Sequence, residues 1–188
     1  MSKEVLVPIA EGTEEIEAVT IIDVLRRAGA AVTVASVGGL QITASRGVHM
    51  VADTLISECS GTDYDLIVLP GGMPGAQNLC DSGLLGVLLK RQYDEGRFYA
   101  AICASPAVVL EHHGMLEGKR ATCHPSFTDR LKSGEAVPSR VVVDGQCITS
   151  QGPGTALEFA LTLVELLYAR QKAEEIAQAM VVTQSAVS

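Results

Sequence analysis

The sequence has no cluster of basic residues: its 14 lysines and arginines are scattered among 22 acids, for a net charge of −8. A nucleic-acid surface needs clustered positive charge, so no nucleic-acid partner is expected. No apolar stretch reaches the roughly 18 residues of a membrane-crossing helix, and no membrane partner is expected. The opening Met1-Ser2-Lys3-Glu4 runs into a seven-residue segment, Val5 to Glu11, too short and too soon acidic for a secretory leader. Paired cysteines are missing as well. Cys59, Cys80, Cys103, Cys123 and Cys147 are odd in number, and none forms a Cys-x-x-Cys. Such usage suits free thiols in a reducing compartment, so a cytoplasmic location is expected. No His/Cys/Asp cluster has zinc spacing, and neither a metal nor a cofactor is expected.

What is present is apolar: 47 % of the 188 residues are hydrophobic and 19 % charged. That excludes disorder as the main state. With no repeat or linker, one domain over residues 1–188 is expected, able to bury about 70 % of its unfolded surface. Apolar, β-branched runs read as buried strands at Glu4–Ala10, Ala31–Val37, Asp65–Leu69 and Arg97–Ile102. Helical patterns lie between and after them, at about 13–28, 84–93, 105–113, 155–169 and 172–180, and Gly29 is placed to close the first. Leu40–Thr43 and Gly47–Val51 predict a small exposed hairpin around Ser45-Arg46-Gly47, and Asp144-Gly145 predicts a second between Val141–Val143 and Cys147–Thr149. Strands apolar throughout, alternating with helices, predict a doubly wound α/β fold with a mostly parallel sheet sandwiched by helices. Sites in such folds form at the carboxyl ends of strands.

Three positions carry chemistry. Cys103 directly follows a strand and precedes Ala104-Ser105-Pro106, a strand–turn–helix elbow with a thiol at its tip. A helix N-terminus there lowers a thiol pKa into the range of ~3.5 to 7.5. The plainer reading is a small hydrophobe ending a strand. Glu17 is second. Winding the first helix places Val24, Ala28, Ile21, Leu25, Ala18 and Ile22 on one apolar arc, and Glu17 falls inside it. A carboxyl on a core face has its pKa raised and can exchange protons; alternatively it bonds free N–H groups of its helix or reaches solvent. Glu14 lies on the same side, where capping explains it. The third is Pro70-Gly71-Gly72-Met73-Pro74-Gly75, which lacks the letters of a nucleotide loop. Its glycine N–H groups, with that of Ala104, can form an oxyanion site, or the loop is a plain tight turn. His124-Pro125 can supply a base, and Thr155 reads as an N-cap for the long helix after it.

Together these residues resemble the ThiJ/PfpI superfamily, in its branch of protein deglycases and glutathione-independent glyoxalases. The carriers are Glu14-Glu15-Ile16-Glu17, Asp23–Gly29, Ser45-Arg46, Leu69–Gly72, Ala100–Pro106, His124-Pro125 and Thr149–Leu161, in one order over nearly the whole chain. The resemblance implies a flavodoxin-like, class I glutamine amidotransferase-like fold. It implies Cys103 as reactive thiol, Glu17 as its protonated partner, an oxyanion and substrate pocket at Gly71, Gly72 and Ala104, and His124 near the thiol. It also implies a homodimer through the first helix, where Ile16 and Val19 sit on the otherwise polar arc. The expected substrates are small α-oxoaldehydes or proteins they have glycated; the alternative is a redox sensor or redox-regulated chaperone working through oxidation of Cys103. Some letters depart from other branches. Ala104 stands where peptidase-like members carry histidine, Pro125-Ser126 replaces the glutaminase His-x-Glu, and Ala44 replaces a cysteine found before the Ser-Arg pair in some members.

Overall fold

The structure is a computed structural model and describes residues 2–182. Strand β1 (Glu4–Ile9) leads into α1 (Glu15–Arg27), and β2 (Ala31–Ser36) returns parallel to it. Gly29 closes α1 with φ +90°, a left-handed turn that costs glycine nothing. β3 (Gln41–Thr43) and β4 (His49–Val51) form the expected hairpin, and the two-residue β5 (Thr54–Leu55) adds an edge beside β2. Then come β6 (Leu66–Leu69), α2 (Gly75–Cys80), α3 (Gly83–Asp94) and β7 (Phe98–Ile102). A small parallel pair, β8 (Arg120–Ala121) and β9 (Glu135–Ala136), precedes the antiparallel β10 (Val141–Asp144) and β11 (Cys147–Ser150). Helices α4 (Ala156–Leu167) and α5 (Arg170–Ala179) follow.

The main sheet has the order β10-β11-β7-β6-β1-β2-β5, and within it only the β10–β11 pairing is antiparallel. Period-two alternation divides its side chains between two cores. Val5, Val7, Ile9, Leu66, Val68, Ala100 and Ile102 face the layer of α1, α4 and α5. Leu6, Ile67, Leu69, Tyr99 and Ala101 face the layer of α2 and α3. This is the expected doubly wound sandwich. Strand order reverses between β1 and β6, so their carboxyl ends, with that of β7, open a crevice.

Four local details differ from the sequence reading. The segment after the elbow is helical only over Pro106–Leu110, wound in π geometry, and turns follow it as far as Gly118. The second hairpin turns on Gly145-Gln146, because Asp144 still pairs with Cys147; only Gly145 needs its positive φ of 61°. Thr155 makes no side-chain cap to α4. Its Oγ1 instead accepts the Gly152 N–H (3.1 Å) and shares a hydrogen bond with Ser150 Oγ (2.6 Å), fixing a short turn ahead of the helix. The helix α2 has no counterpart in the expected elements; its glycine and small polar residues give no apolar period over so short a length.

Candidate active site

Cys103 stands one residue past β7 with φ +66°, a left-handed conformation rare for a residue with a side chain. Such strain persists only where the surroundings hold it. Here the Cys103 N–H donates to Ser150 O (3.0 Å), and Cys103 O accepts from the His124 N–H (2.8 Å). Ser105 Oγ donates to Pro70 O (2.6 Å), tying the elbow to the glycine loop after β6. The thiol is left 8 % exposed at the floor of the crevice.

The glycine loop lies directly against it. A methyl group on Gly71 would come within 2.5 Å of Cys103 Cβ, 2.8 Å of Ile102 O and 3.0 Å of Glu17 Oε2, so no larger residue fits between thiol and carboxyl. Gly72, with φ +87°, turns the chain past the thiol, and the backbone N–H groups of Gly72 and Ala104 both pull the Cys103 pKa down. Gly71 N–H is used differently. It donates to Glu17 Oε2 (2.7 Å), so its part is to hold the carboxyl, while the N–H groups of Gly72 and Ala104 favour the thiolate.

Glu17 is fully buried on the inner face of α1. It neither caps its own helix nor reaches solvent; Glu14 Oε2 does the capping, accepting from Glu17 N (2.8 Å). The other oxygen, Glu17 Oε1, has no partner within hydrogen-bond geometry among the described residues, and the carboxyl's side-chain neighbour is the Cys103 thiol. Burial pushes the Glu17 carboxyl up to about 7, against the opposing pull of the Gly71 N–H.

The thiol does not follow the simple helix-dipole expectation. Burial first, and then the charge of ionised Glu17, push Cys103 up to about 12, outweighing the N–H groups of Gly72 and Ala104. The reason is local: the following helical segment is short and π-wound, and the sulfur is nearly out of water. The two groups therefore act as one coupled unit. While Glu17 is ionised the sulfur keeps its proton. When Glu17 takes that proton, the repulsion vanishes and the carboxyl becomes a donor to the thiolate.

His124 is brought beside the elbow by its backbone. Its ring accepts the Ser126 N–H on Nδ1 (3.2 Å), stands edge-on to Phe127, and makes no hydrogen bond to the Cys103 thiol among the described residues. Three contributors were given no role of their own from sequence. Ser105 sits in the elbow motif itself, where a buried hydroxyl next to a strained turn is a readable signal. Ser45 and the Arg46 N–H hold Glu15 (2.9 Å each) from thirty residues away, a pairing with no local signal. Burial works against the Glu15 charge, but its own backbone N–H, together with Ser45 and Arg46, outweighs it and holds the carboxyl below its usual range.

Residues 3–166 match the model of the DJ-1/PfpI family. Among curated proteins, the chain is 51 % identical over 180 residues to Protein DJ-1 homolog B of Arabidopsis thaliana, covering 95 % of this chain but 41 % of that relative; it spans less than half of that protein's length. It is 37 % identical over 168 residues to the glutathione-independent glyoxalase DJR-1.2 of Caenorhabditis elegans, covering 88 % of this chain and 89 % of the relative. Among solved structures, oxidised DJ-1 of Toxoplasma gondii superposes with a TM-score of 0.94 at 49 % identity, over 96 % of this chain and 98 % of that one. Among the described residues, no helix is long and apolar enough to cross a membrane.

Proposed function

The chain belongs to the DJ-1/PfpI family, and from that premise we propose that it converts methylglyoxal and glyoxal to 2-hydroxy acids, without cofactor, through Cys103. The observation that carries this reading is a fully buried carboxyl, pushed up to about 7 and held by the Gly71 N–H, beside a left-handed elbow thiol. A base with a pKa near the working pH is the efficient one. The likeness to a relative named as a glutathione-independent glyoxalase points the same way.

Glu17 takes the thiol proton as the Cys103 sulfur bonds to the aldehyde carbon. The carbonyl π pair moves onto oxygen, beside the N–H groups of Gly72 and Ala104. The proton returns to that oxygen and leaves a hemithioacetal. Glu17 then removes the hydrogen of the same carbon, the electrons form an enediol, and reprotonation at the neighbouring carbon gives a thioester. Water cleaves the C–S bond, releasing the 2-hydroxy acid and restoring the thiol. The oxidation at one carbon is matched by reduction at its neighbour, so no external oxidant enters. The same thiol chemistry extends to deglycation, in which early adducts of these aldehydes on Cys, Lys or Arg side chains are the substrates.

A second reading, oxidation sensing through Cys103, has its own support: the N–H donors and the Glu17 carboxyl suit a sulfinate as well as an oxyanion, and a neighbour at 49 % identity is known in an oxidised form. In either reading a second copy of the chain packs on α1, whose Ile16 and Val19 are each about half exposed. A cytoplasmic setting agrees with five free thiols.

The test is lactate production from methylglyoxal, without glutathione, by wild type, Cys103→Ser and Glu17→Gln. Turnover in wild type and its loss in both variants is expected. An inactive wild type overturns the glyoxalase reading and turns attention to the mass of Cys103 after peroxide.

A further inference from the structure

Three acids occupy the first turn of α1 and its cap, and the structure gives each a different direction. Glu15 turns outward to Ser45 and Arg46 of the hairpin region. Glu17 turns inward to the thiol. Glu14 turns back on the helix start and is itself 8 % exposed. Its backbone N–H donates to Gly71 O (2.9 Å). The Gly71 N–H donates to Glu17 Oε2 (2.7 Å), and the Glu17 N–H donates to Glu14 Oε2 (2.8 Å). These three bonds close a ring through two elements that are more than fifty residues apart in sequence.

From this ring we infer that Glu14 is a positioning residue for Glu17, holding the catalytic carboxyl against Gly71 and the Cys103 thiol; the inference rests on the function proposed above. Two of the three bonds involve Glu14, one through its backbone and one through its side chain. The backbone bond holds the Gly71 carbonyl, anchoring the residue whose N–H, on the preceding peptide, faces the carboxyl. The side-chain bond fixes the first turn of α1, from which Glu17 projects. No water competes at this depth, because Glu17 is fully buried, and Gly72 is packed so tightly that a methyl there would lie 2.6 Å from the Glu14 nitrogen. The Glu17 carboxyl therefore has one orientation, with Oε2 spent on Gly71 and Oε1 left for the proton it exchanges with sulfur. Losing the Glu14 acceptor frees the first turn and lets that geometry relax.

The experiment compares Glu14→Gln and Glu14→Ser, which keep an acceptor for the Glu17 N–H, with Glu14→Ala and Glu14→Gly, which remove it. Glycine is tolerated at a helix N-cap, so the glycine variant separates loss of the acceptor from loss of the helix. Two readouts are taken: kcat and KM for methylglyoxal, and the rate at which iodoacetamide alkylates Cys103. In the alanine and glycine variants kcat is expected to fall about tenfold or more with KM unchanged, since small misplacement of a reacting group is costly. Alkylation is expected to slow in parallel, and both rates to recover in the glutamine and serine variants. Folded alanine and glycine variants with wild-type rates overturn the inference, and so do glutamine and serine variants as slow as alanine. A wild type without methylglyoxal turnover defeats the functional reading alone, because the alkylation series still decides the role of Glu14.

Discussion

Cys103 and Cys147 end and begin neighbouring parts of the same sheet, and burial pushes both thiols up to about 12. Their surroundings are otherwise unlike. Cys147 is 1 % exposed at the start of β11, where Tyr99 and the Lys119 charge oppose the effect of burial. It has ordinary strand geometry, and the acid near it, Asp144, is held by the Arg120 N–H (2.9 Å) and Lys119 (4.0 Å) and acts on the thiol through its charge. Cys103 sits in a left-handed elbow at the open end of the sheet, with a carboxyl pushed up to about 7 on one side and the Gly72 and Ala104 N–H groups favouring its thiolate. Resting acidity therefore does not separate a reactive thiol from an inert one here. In the proposed reaction the partner does: a neighbouring base converts a reluctant thiol into a nucleophile only when an electrophile arrives.

The largest expected effect tests that contrast directly. Cys103→Ser should lower methylglyoxal turnover by about 10³-fold or more, since a hydroxyl is far less nucleophilic than a thiol. Cys147→Ser, measured in the same lactate assay, should leave turnover per folded molecule unchanged. Glu17→Gln comes next. Its oxygen can still accept from Gly71 and its amide can face the sulfur, so the site keeps its shape while losing its base. The expected loss is about 10²–10⁴-fold, the usual contribution of a positioned acid or base. Retention of full turnover in that variant would contradict the contrast drawn above.

The same substitution sharpens the comparison through pH. The active pair carries one proton, so wild-type turnover should rise as pH passes about 7, and Glu17→Gln should lose that acid limb. Stability moves the opposite way. The folded-state pKa of Glu17 is raised above its ordinary value of 4.5, so the fold favours the protonated form. That preference is fully present below about pH 4.5 and is lost as pH climbs through about 7. Above it, the buried charge costs up to about 3 kcal/mol, at roughly 1.4 kcal/mol for each tenfold change in proton affinity. Glu17→Gln should then melt several degrees higher than wild type at pH 8 and close to it at pH 4.5. An equal difference at both pH values would show that Glu17 is not the titrating group.

Much of this was legible in the sequence, for definable reasons. The sheet was readable because its strands are apolar on both faces, which marks parallel strands under helices. Cys103 was readable because a strand end, a small residue and Pro106 spell a turn into a helix. Glu17 was readable because one acid among Ala18, Ile21, Val24 and Leu25 breaks an otherwise apolar arc. What escaped depends on contacts distant in sequence or on depth. The Gly71 bond to Glu17 joins residues 54 apart, so nothing local distinguished Gly71 from Gly72. The thiol's upward shift comes from burial and from Glu17, neither of which appears in the letters around Cys103. The π winding of Pro106–Leu110 and the β8–β9 pair arise from tertiary packing around segments too short to show a period.

The smallest expected effect concerns His124, where sequence position alone suggests a base. Its ring accepts the Ser126 N–H on Nδ1, so a neutral ring carries its proton on Nε2 and has no free acceptor to offer the thiol. What His124 supplies to the elbow is its backbone N–H on Cys103 O, which any residue but proline supplies. Asparagine keeps that N–H, and its side-chain oxygen can accept from the N–H two residues on, as such residues do in turns. His124→Asn should consequently cost about threefold in kcat, far below the 10²–10⁴ expected from removing a true acid or base. A loss approaching that of Glu17→Gln in the same assay would place the imidazole in the proton path and make the site a triad; a small one leaves Cys103 and Glu17 as a sufficient pair.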